Sequence, residues 1–487
     1  MDSAELIGLR PLSALVLGAG CMTLQWQQIV RLRFLFALVL VCVVLPMLQL
    51  VPLPPHIYAA LPGRTLIIAI DHAVGNSAIW RPFSMSPTRT WNALWATMAP
   101  AAVLVLGAQL GAADLRRLLP VVLVLGMISA GLGIVQMVSD PHSPLYLYET
   151  TTAGMPIGLF ANRNHQAVFL ATLLIMLATW AGWSGQRAGR TGRSETFASD
   201  VQPTTQAMRD RAGESGIKRR KSGPRLGGTM RASIAALLGV VLLPVILGTG
   251  SRSGLAMTVV ACLSLPLVYR GRRGANSPSG AKTDPNKAAQ HGWSGIIARG
   301  RQIVPYMAPI TGLAIVGTAV WLGRAESVNR LLEQDASQDL RFQMLPVALG
   351  MAGHFWPLGS GVGTFLPVFR TFEPDSMLSP RIMAQVNNDW IEVVTTAGLP
   401  GALLLLTAVV LWVVRARTVL RSDQSEFRFA RLGLLVNLIF ALASVTDYPA
   451  RVPAISCLIV LAALWSVVQD DYGVFIRGSD PQGGRIA

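Results

Sequence analysis

The sequence predicts an all-α, polytopic membrane protein, and three observations carry that expectation. Its 487 residues are 52% hydrophobic and only 14% charged, with a mean hydropathy of +0.48, which is too apolar for a surface kept in water. Eleven stretches approach the roughly 20 apolar residues that a helix needs to cross a hydrocarbon core. The connections between them alternate between basic-rich and basic-poor.

Taken in order, the stretches are Pro11 to Leu24, Phe34 to Val51, Trp91 to Ala112, Leu118 to Val138, Ala167 to Trp183, Ala232 to Leu247, Leu255 to Tyr269, Ile303 to Leu322, Leu399 to Val414, Leu432 to Val445 and Pro453 to Val468. With alternate connections assigned to opposite sides, one side collects 29 of the 41 Lys and Arg residues. The positive-inside rule makes that side cytoplasmic and places the C-terminus there. Odd parity puts the N-terminus outside, so either the first span is short for a bilayer or a further helix precedes it. No signal-peptide charge pattern is evident, since Asp2 and Glu5 come before Arg10.

The expected organisation is therefore N-terminal membrane helices over 1–183, a basic cytoplasmic loop 184–231, a helix pair 232–269, a second basic loop 270–302, a core 303–468 containing a long outer loop 323–398, and a cytoplasmic tail 469–487. The two basic loops are rich in Gly, Ser, Arg and Lys without helical apolar period and read as disordered. Leu340, Phe342 and Met344 to Leu349 restore such a period in the outer loop, which suggests amphipathic helices on or above the bilayer.

Composition also excludes some functions. Cys21, Cys42, Cys262 and Cys457 all lie in apolar stretches without paired spacing, so neither a disulfide framework nor a zinc site is indicated. The formal charge of +16 resides largely in loops that lack interleaved aromatics or a recognisable module, and nucleic acid is not an expected partner. Membrane lipids are.

Candidate functional residues collect on the outer face. Arg252 follows a Gly-Thr-Gly-Ser turn between two apolar spans, against the charge bias, where backbone N–H groups and a guanidinium can converge on a phosphate. The alternative is an arginine that snorkels or caps a helix. Arg341 heads a helix leading into Pro357-Leu-Gly-Ser-Gly-Val-Gly-Thr-Phe365, whose glycines permit close approach of helix or substrate. That segment lacks the Lys-Ser/Thr ending of a phosphate-binding P-loop. Asn387, Asn388, Asp389 and Glu392 bunch polar groups just before an apolar span, which is costly unless used, although Asp389 also suits a helix N-cap. Asn162, Arg163, Asn164 and His165 form one further outer cluster, and Asp447 with Arg451 another. Glu373 and Asp375 make a carboxylate pair too isolated to assign a metal. No metal and no cofactor are expected.

These motifs together resemble the O-antigen ligase and polymerase superfamily of bacterial membrane glycosyltransferases. The resemblance runs through Leu48-Gln-Leu-Val-Pro-Leu-Pro-Pro55, Arg81-Pro-Phe-Ser84, Gly158-Leu-Phe-Ala-Asn-Arg-Asn-His165, Thr249-Gly-Ser-Arg-Ser-Gly254, Leu340-Arg341, Pro357 to Phe365, Asn388-Asp389 through Gly398-Leu-Pro-Gly401, and Asp447-Tyr-Pro449 with Arg451. It implies a GT-C-like helical enzyme in the inner membrane. A periplasmic cavity would take a glycan on undecaprenyl diphosphate and pass it to lipid A-core (a ligase) or to another lipid-linked glycan (a polymerase), without nucleotide or metal. The resemblance makes Arg252 and Arg341 the two functional arginines, with Asp389 a third catalytic candidate. Asn162, Arg163, Asn164, His165, Asn387, Asn388, Glu392, Asp447 and Arg451 become substrate-binding candidates.

One position departs from the family. Members commonly carry a His before the Asn-Asp pair as general base, and this chain has Asn387, whose amide cannot accept a proton at neutral pH. Asp389, Glu392 or His165 would have to substitute, unless leaving-group stabilisation alone drives the reaction. The missing His weighs against a ligase and toward a polymerase. A lipid-linked glycan flippase or other transporter is a competing reading, as is a noncatalytic protein of envelope-polysaccharide assembly. Transporters place coupling charges near the midplane, whereas these spans are almost free of charge.

Overall fold

A computed structural model of the chain describes residues 3–76, 78–140, 142–148, 154–183, 228–269, 340–375 and 388–467. The predicted span Ile303 to Leu322 lies outside the described residues, as do the basic loops over 184–227 and 270–302, Asn387, and the outer loop over 323–339 and 376–387; residues 228–231 of the first basic loop belong to a helix instead. The described chain is helical apart from one two-residue antiparallel pair, β1 (Pro52–Leu53) with β2 (Arg81–Pro82). Among the described residues, six helices are long and apolar enough to cross a membrane.

The helices follow the apolar stretches. The first group is α1 (Ser3–Thr23), α2 (Trp26–Arg31), α3 (Arg33–Gln49), α4 (Pro55–Ala59), α5 (Thr65–Ala73), α6 (Pro87–Ala96), α7 (Met98–Gln109) and α8 (Ala112–Val138). The second is α9 (Arg163–Gly182), α10 (Gly228–Gly248), α11 (Arg252–Tyr269), α12 (Leu340–His354), α13 (Phe365–Phe369), α14 (Asp389–Arg421), α15 (Arg428–Ala443) and α16 (Pro453–Val467). The first helix is 21 residues long rather than the shorter stretch read from hydropathy.

Burial identifies the centre of the bundle. In α9, 78% of the most apolar window is enclosed, against 17% in α14, so α9 is the hub and α14 faces outward along most of its length. Helices α8, α10, α11 and α15 pack around α9, and α16 packs on α15 and α7. Uncharged polar groups settle the join between α8 and α9. Ser129 Oγ donates to Gln166 Oε1 at 2.7 Å, and the Gln136 amide receives Gly158 N–H at 2.7 Å while donating to Gly158 O at 3.1 Å. In hydrocarbon an unsatisfied polar group is expensive, so these closed pairs fix the register of the Gly158-Leu-Phe-Ala segment.

The two ends of the bundle differ. At one end arginines meet helix C-termini, where carbonyls lack partners and the dipole is negative. Arg428 donates to Gly182 O and Val268 O, Arg231 to Trp183 O at 2.7 Å, and Arg415 to Ser466 O at 2.7 Å. At the other end begin α9, α11, α14 and α16, and a smaller cluster sits there: Met344, Ala348, Met351, Phe355, Phe365, Val368 and Phe369, with Ile391 of α14 against it.

The Gly-rich segment explains itself at this second end. Helix α14 breaks at Gly398 (φ 61°, ψ −145°), and the freed backbone groups are taken by the segment after α12. Ser360 N–H donates to Thr395 O at 3.2 Å, Gly361 N–H to Thr396 O at 2.8 Å and Leu399 N–H to Pro357 O at 2.7 Å. A Cβ on Gly398 would stand 2.2 Å from Pro357 O, and one on Gly359 2.5 Å from Thr396 O. These glycines serve close backbone approach, one of the two uses expected of them.

Gly398→Ala should therefore destabilise by about 1–3 kcal/mol from the backbone region alone, more once the clash is added. Gly131→Ala, where an added Cβ meets nothing within 4 Å, should be neutral or stabilising. Thermal unfolding of the two variants in detergent checks the contrast.

Arg64 completes the outer assembly. It is 1% exposed, donates to Pro62 O, Phe83 O and Gly359 O at 3.1, 3.0 and 3.2 Å, and lies against the rings of Tyr58, Phe83 and Phe355. Burial pulls its pKa below the ordinary arginine value. Gln49 adds a second tie, receiving Val362 N–H at 2.7 Å. Arg64 fastens the 52–86 connection, and Gln49 the end of α3, to the Gly-rich segment.

Candidate functional site

The site is assembled from the beginnings of α9, α11 and α14 and from the turn between α15 and α16. In α14, Asn388 is the N-cap: its side chain receives Ile391 N–H at 3.0 Å and donates to Val445 O at 2.9 Å. The capping role considered for Asp389 thus falls to its neighbour, and Asp389, on the first helical residue, is released for other partners.

Those partners come from the turn. Asp389 Oδ1 pairs with Arg451 Nε at 3.2 Å, and Asp389 Oδ2 receives Ser444 O–H at 2.9 Å and Ala450 N–H at 3.2 Å. Asp389 N–H donates to Ser444 O at 2.9 Å. One turn of helix later, Glu392 Oε1 pairs with Arg451 Nη1. A single guanidinium therefore clasps two carboxylates spaced i, i+3 on α14. Glu392 is 2% exposed, and its second oxygen is buried with no hydrogen-bond partner among the described residues. Burial pulls the Arg451 pKa down, but the charges of Glu392 and Asp389 outweigh it and raise the value. Arg451 stays charged throughout.

The same turn reaches α9. Asp447 Oδ1 lies 3.7 Å from His165 Nε2, both side chains being almost fully buried. The Tyr448 ring meets the His165 ring edge-on, with centroids 4.9 Å apart. Tyr448 Oη receives Asn162 Nδ2 at 3.3 Å, and Asn162 caps α9 by receiving Asn164 N–H at 2.8 Å. Asn164 is buried, and Arg163 Nη1 contacts Met155 Sδ at 3.1 Å. His165 Nε2 has no hydrogen-bond partner among the described residues.

Arg252 is the first residue of α11 and is half-buried. The turn before it is ordered by its hydroxyls. Ser251 Oγ receives Gly254 N–H at 3.0 Å and Thr249 Oγ1 receives Ser251 N–H at 3.2 Å, while Gly250 takes φ 64°. Gly254 packs so tightly on α9 that an added Cβ would sit 2.2 Å from Ala167 Cβ. This contact brings the start of α11 beside the start of α9. Arg341 lies in the first turn of α12, and its side chain falls outside the described residues, as do Asn387, Asp335 and Asp339. Helix α12 itself packs on α14.

The structure thus unites Asp389, Glu392 and Arg451 in one cluster and His165, Asp447 and Asn162 in a second, with a single turn contributing to both. Sequence reasoning missed Ser444, which binds Asp389 through both main chain and side chain, and Arg64. A signal for Arg64 existed in Pro62-Gly63-Arg64, a turn signature directly before an apolar helix. Among the described residues, no group of three or more His, Cys, Asp or Glu is placed to hold a metal ion.

Fold and site define a polytopic helical membrane protein with a buried ionic site at one end of its bundle. Residues 235–406 match the family model described as O-antigen ligase, which supports the resemblance to the O-antigen ligase and polymerase superfamily over that stretch of the chain. Among curated proteins no match was found. The matched stretch contains Arg252, Arg341, Asp389 and Glu392, while His165, Asp447 and Arg451 come from outside it.

Proposed function

We propose that this chain is a bacterial inner-membrane glycosyltransferase that moves a glycan from undecaprenyl diphosphate to an acceptor sugar on the periplasmic face. The observation that carries the reading is that the helix start bearing Arg252 and the two carboxylate-centred clusters lie at the same end of the bundle, away from the helix-capping arginines. By the positive-inside rule that end is extracytoplasmic and the C-terminus is cytoplasmic. The acceptor is lipid A-core or a second lipid-linked glycan, as the family description and the motifs suggest.

In the proposed reaction the acceptor hydroxyl oxygen attacks the anomeric carbon, the bond from that carbon to the diphosphate oxygen breaks, and undecaprenyl diphosphate departs. Arg252 and Arg341 hold the diphosphate and stabilise the charge that develops on it. Both oxygens of Asp389 are engaged, so Asp389 acts by fixing Arg451 and the turn it belongs to, and is a positioning residue in this scheme. The proton leaving the acceptor hydroxyl goes to His165, oriented by Asp447, which supplies the base that Asn387 cannot. Asn162, Arg163, Asn164 and Asn388 shape the acceptor side. The scheme uses neither a nucleotide nor a metal.

Deleting the protein and restoring it as wild type or as Arg341→Ala tests this reading. The expected result for the variant is normal protein level, lost surface glycan, and lipid-linked repeats accumulating on the periplasmic leaflet. Polymer of unaltered length that fails to join lipid A would identify a ligase. Accumulation on the cytoplasmic leaflet would indicate a flippase, and full function without the outer arginines would indicate a noncatalytic assembly protein.

A further inference from the structure

Helix α5 has its amphipathicity reversed relative to a helix bathed in water. Its charged residue Asp71 is buried and paired with Arg81, a contact that holds the Asp71 pKa below the usual carboxylate value. Arg64, the residue just before it, is 1% exposed. The outward stripe is instead Leu66, Ala69, Ile70, Ala73 and Val74, at i, i+3, i+4, i+7 and i+8, with Thr65 and His72 exposed at its margin. Leu66 and Ile70 are each 52% exposed, and Val74 62%. Ile79 and Trp80 beyond the helix extend the patch.

What covers this stripe follows from its neighbours. The chain enters the connection from α3, whose Leu40, Met47 and Leu48 face outward, and leaves it into the candidate span Pro87–Gln109. Val51 and Ile57, which lie between α3 and α5 along the chain, are exposed apolar residues as well. Arg64, through Gly359 O, and Met85 N–H, which donates to Ser360 O at 3.0 Å, tie the connection to the Gly-rich segment, so the stripe belongs to the bundle end that carries the candidate site. A tryptophan beside it suits the water–lipid boundary.

We infer that α5 lies in the surface of the membrane on the site's side, with its Leu66–Ile70–Val74 face against lipid acyl chains and its Asp71–Arg81 pair turned toward the protein. The helix then fixes the height of the site above the bilayer. Through Arg64 it ties that height to the Gly398 break.

The test places a spin label at Ile70→Cys, with a second at Gly75→Cys as a control, in protein whose four cysteines are replaced by serine, reconstituted in phosphatidylcholine and phosphatidylglycerol vesicles. The label at 70 is expected to be reached by oxygen and shielded from a water-soluble nickel chelate, at about 5–10 Å below the headgroups. The label at 75 is expected to show the reverse preference. Free access of the chelate to position 70 overturns the inference, and shielding from both reagents does so too, because it would mean a protein partner. A carbene precursor dissolved in the acyl region reads the same point in the unmodified chain. It should mark Leu66, Ile70 and Trp80 as strongly as Leu48, and failure to mark them contradicts the inference. Neither readout depends on glycan transfer, so the result stands apart from the proposed reaction.

Discussion

Arg451→Ala is expected to lower the stability of the purified protein by about 3 kcal/mol and to abolish the proposed glycan transfer. Removing one partner of a buried ion pair strands the others, at a typical cost of about 3–5 kcal/mol. The lower end applies because Arg451 keeps 31% of its side chain exposed, whereas Glu392 keeps 2%. Two carboxylates would be left facing each other three residues apart on α14, and Asp389 would keep only Ser444 and the Ala450 N–H. The effect should be strongly non-additive. Arg451→Met combined with Glu392→Gln removes one of the two stranded charges, the more deeply buried one, and should recover part of the lost stability without recovering transfer. Thermal unfolding in detergent, with transfer measured on the same preparations, checks both halves. Equal losses of stability in the single and double variants would show that the clasp is not the unit described here.

How much of this was legible in the sequence can be seen residue by residue. Apolar length located the helices because the bilayer imposes it, and the stretch predicted to begin at Leu399 starts directly after the break at Gly398. The Gly-rich segment announced a close approach, but not that the approach is to the backbone of α14. Polar residues ahead of α14 announced a candidate site, yet the N-cap considered for Asp389 falls to Asn388. Which of two adjacent polar residues caps a helix depends on where the other can find a partner, and Asp389 finds Arg451 sixty-two positions away. The pairing of His165 with Asp447 had the same origin in long-range contact. Arg64 and the Ser129, Gln136 and Gln166 contacts were passed over because a scan for charge inside spans ignores amides, hydroxyls and arginines in the connections.

The second large effect is expected at Arg252. If its guanidinium stabilises the departing diphosphate, Arg252→Ala should slow transfer about 10²–10³-fold, the typical loss when one preorganised donor to developing charge is removed. Thermal unfolding of the variant in detergent separates a loss of rate from a loss of fold. Arg252→Lys keeps the charge but loses the planar fork that grips two phosphate oxygens, and should recover only part of the rate. A helix that begins with a cation works against its own dipole, a cost that an anionic ligand at this position would offset.

The most direct measurement is single-turnover transfer in proteoliposomes, using lipid-linked glycan extracted from cells lacking the protein and comparing wild type, Arg252→Ala and Arg252→Lys at matched protein level. The account predicts transfer by wild type, a loss of about 10²-fold or more in the alanine variant, and an intermediate rate with lysine. Transfer by Arg252→Ala within about twofold of wild type would contradict it.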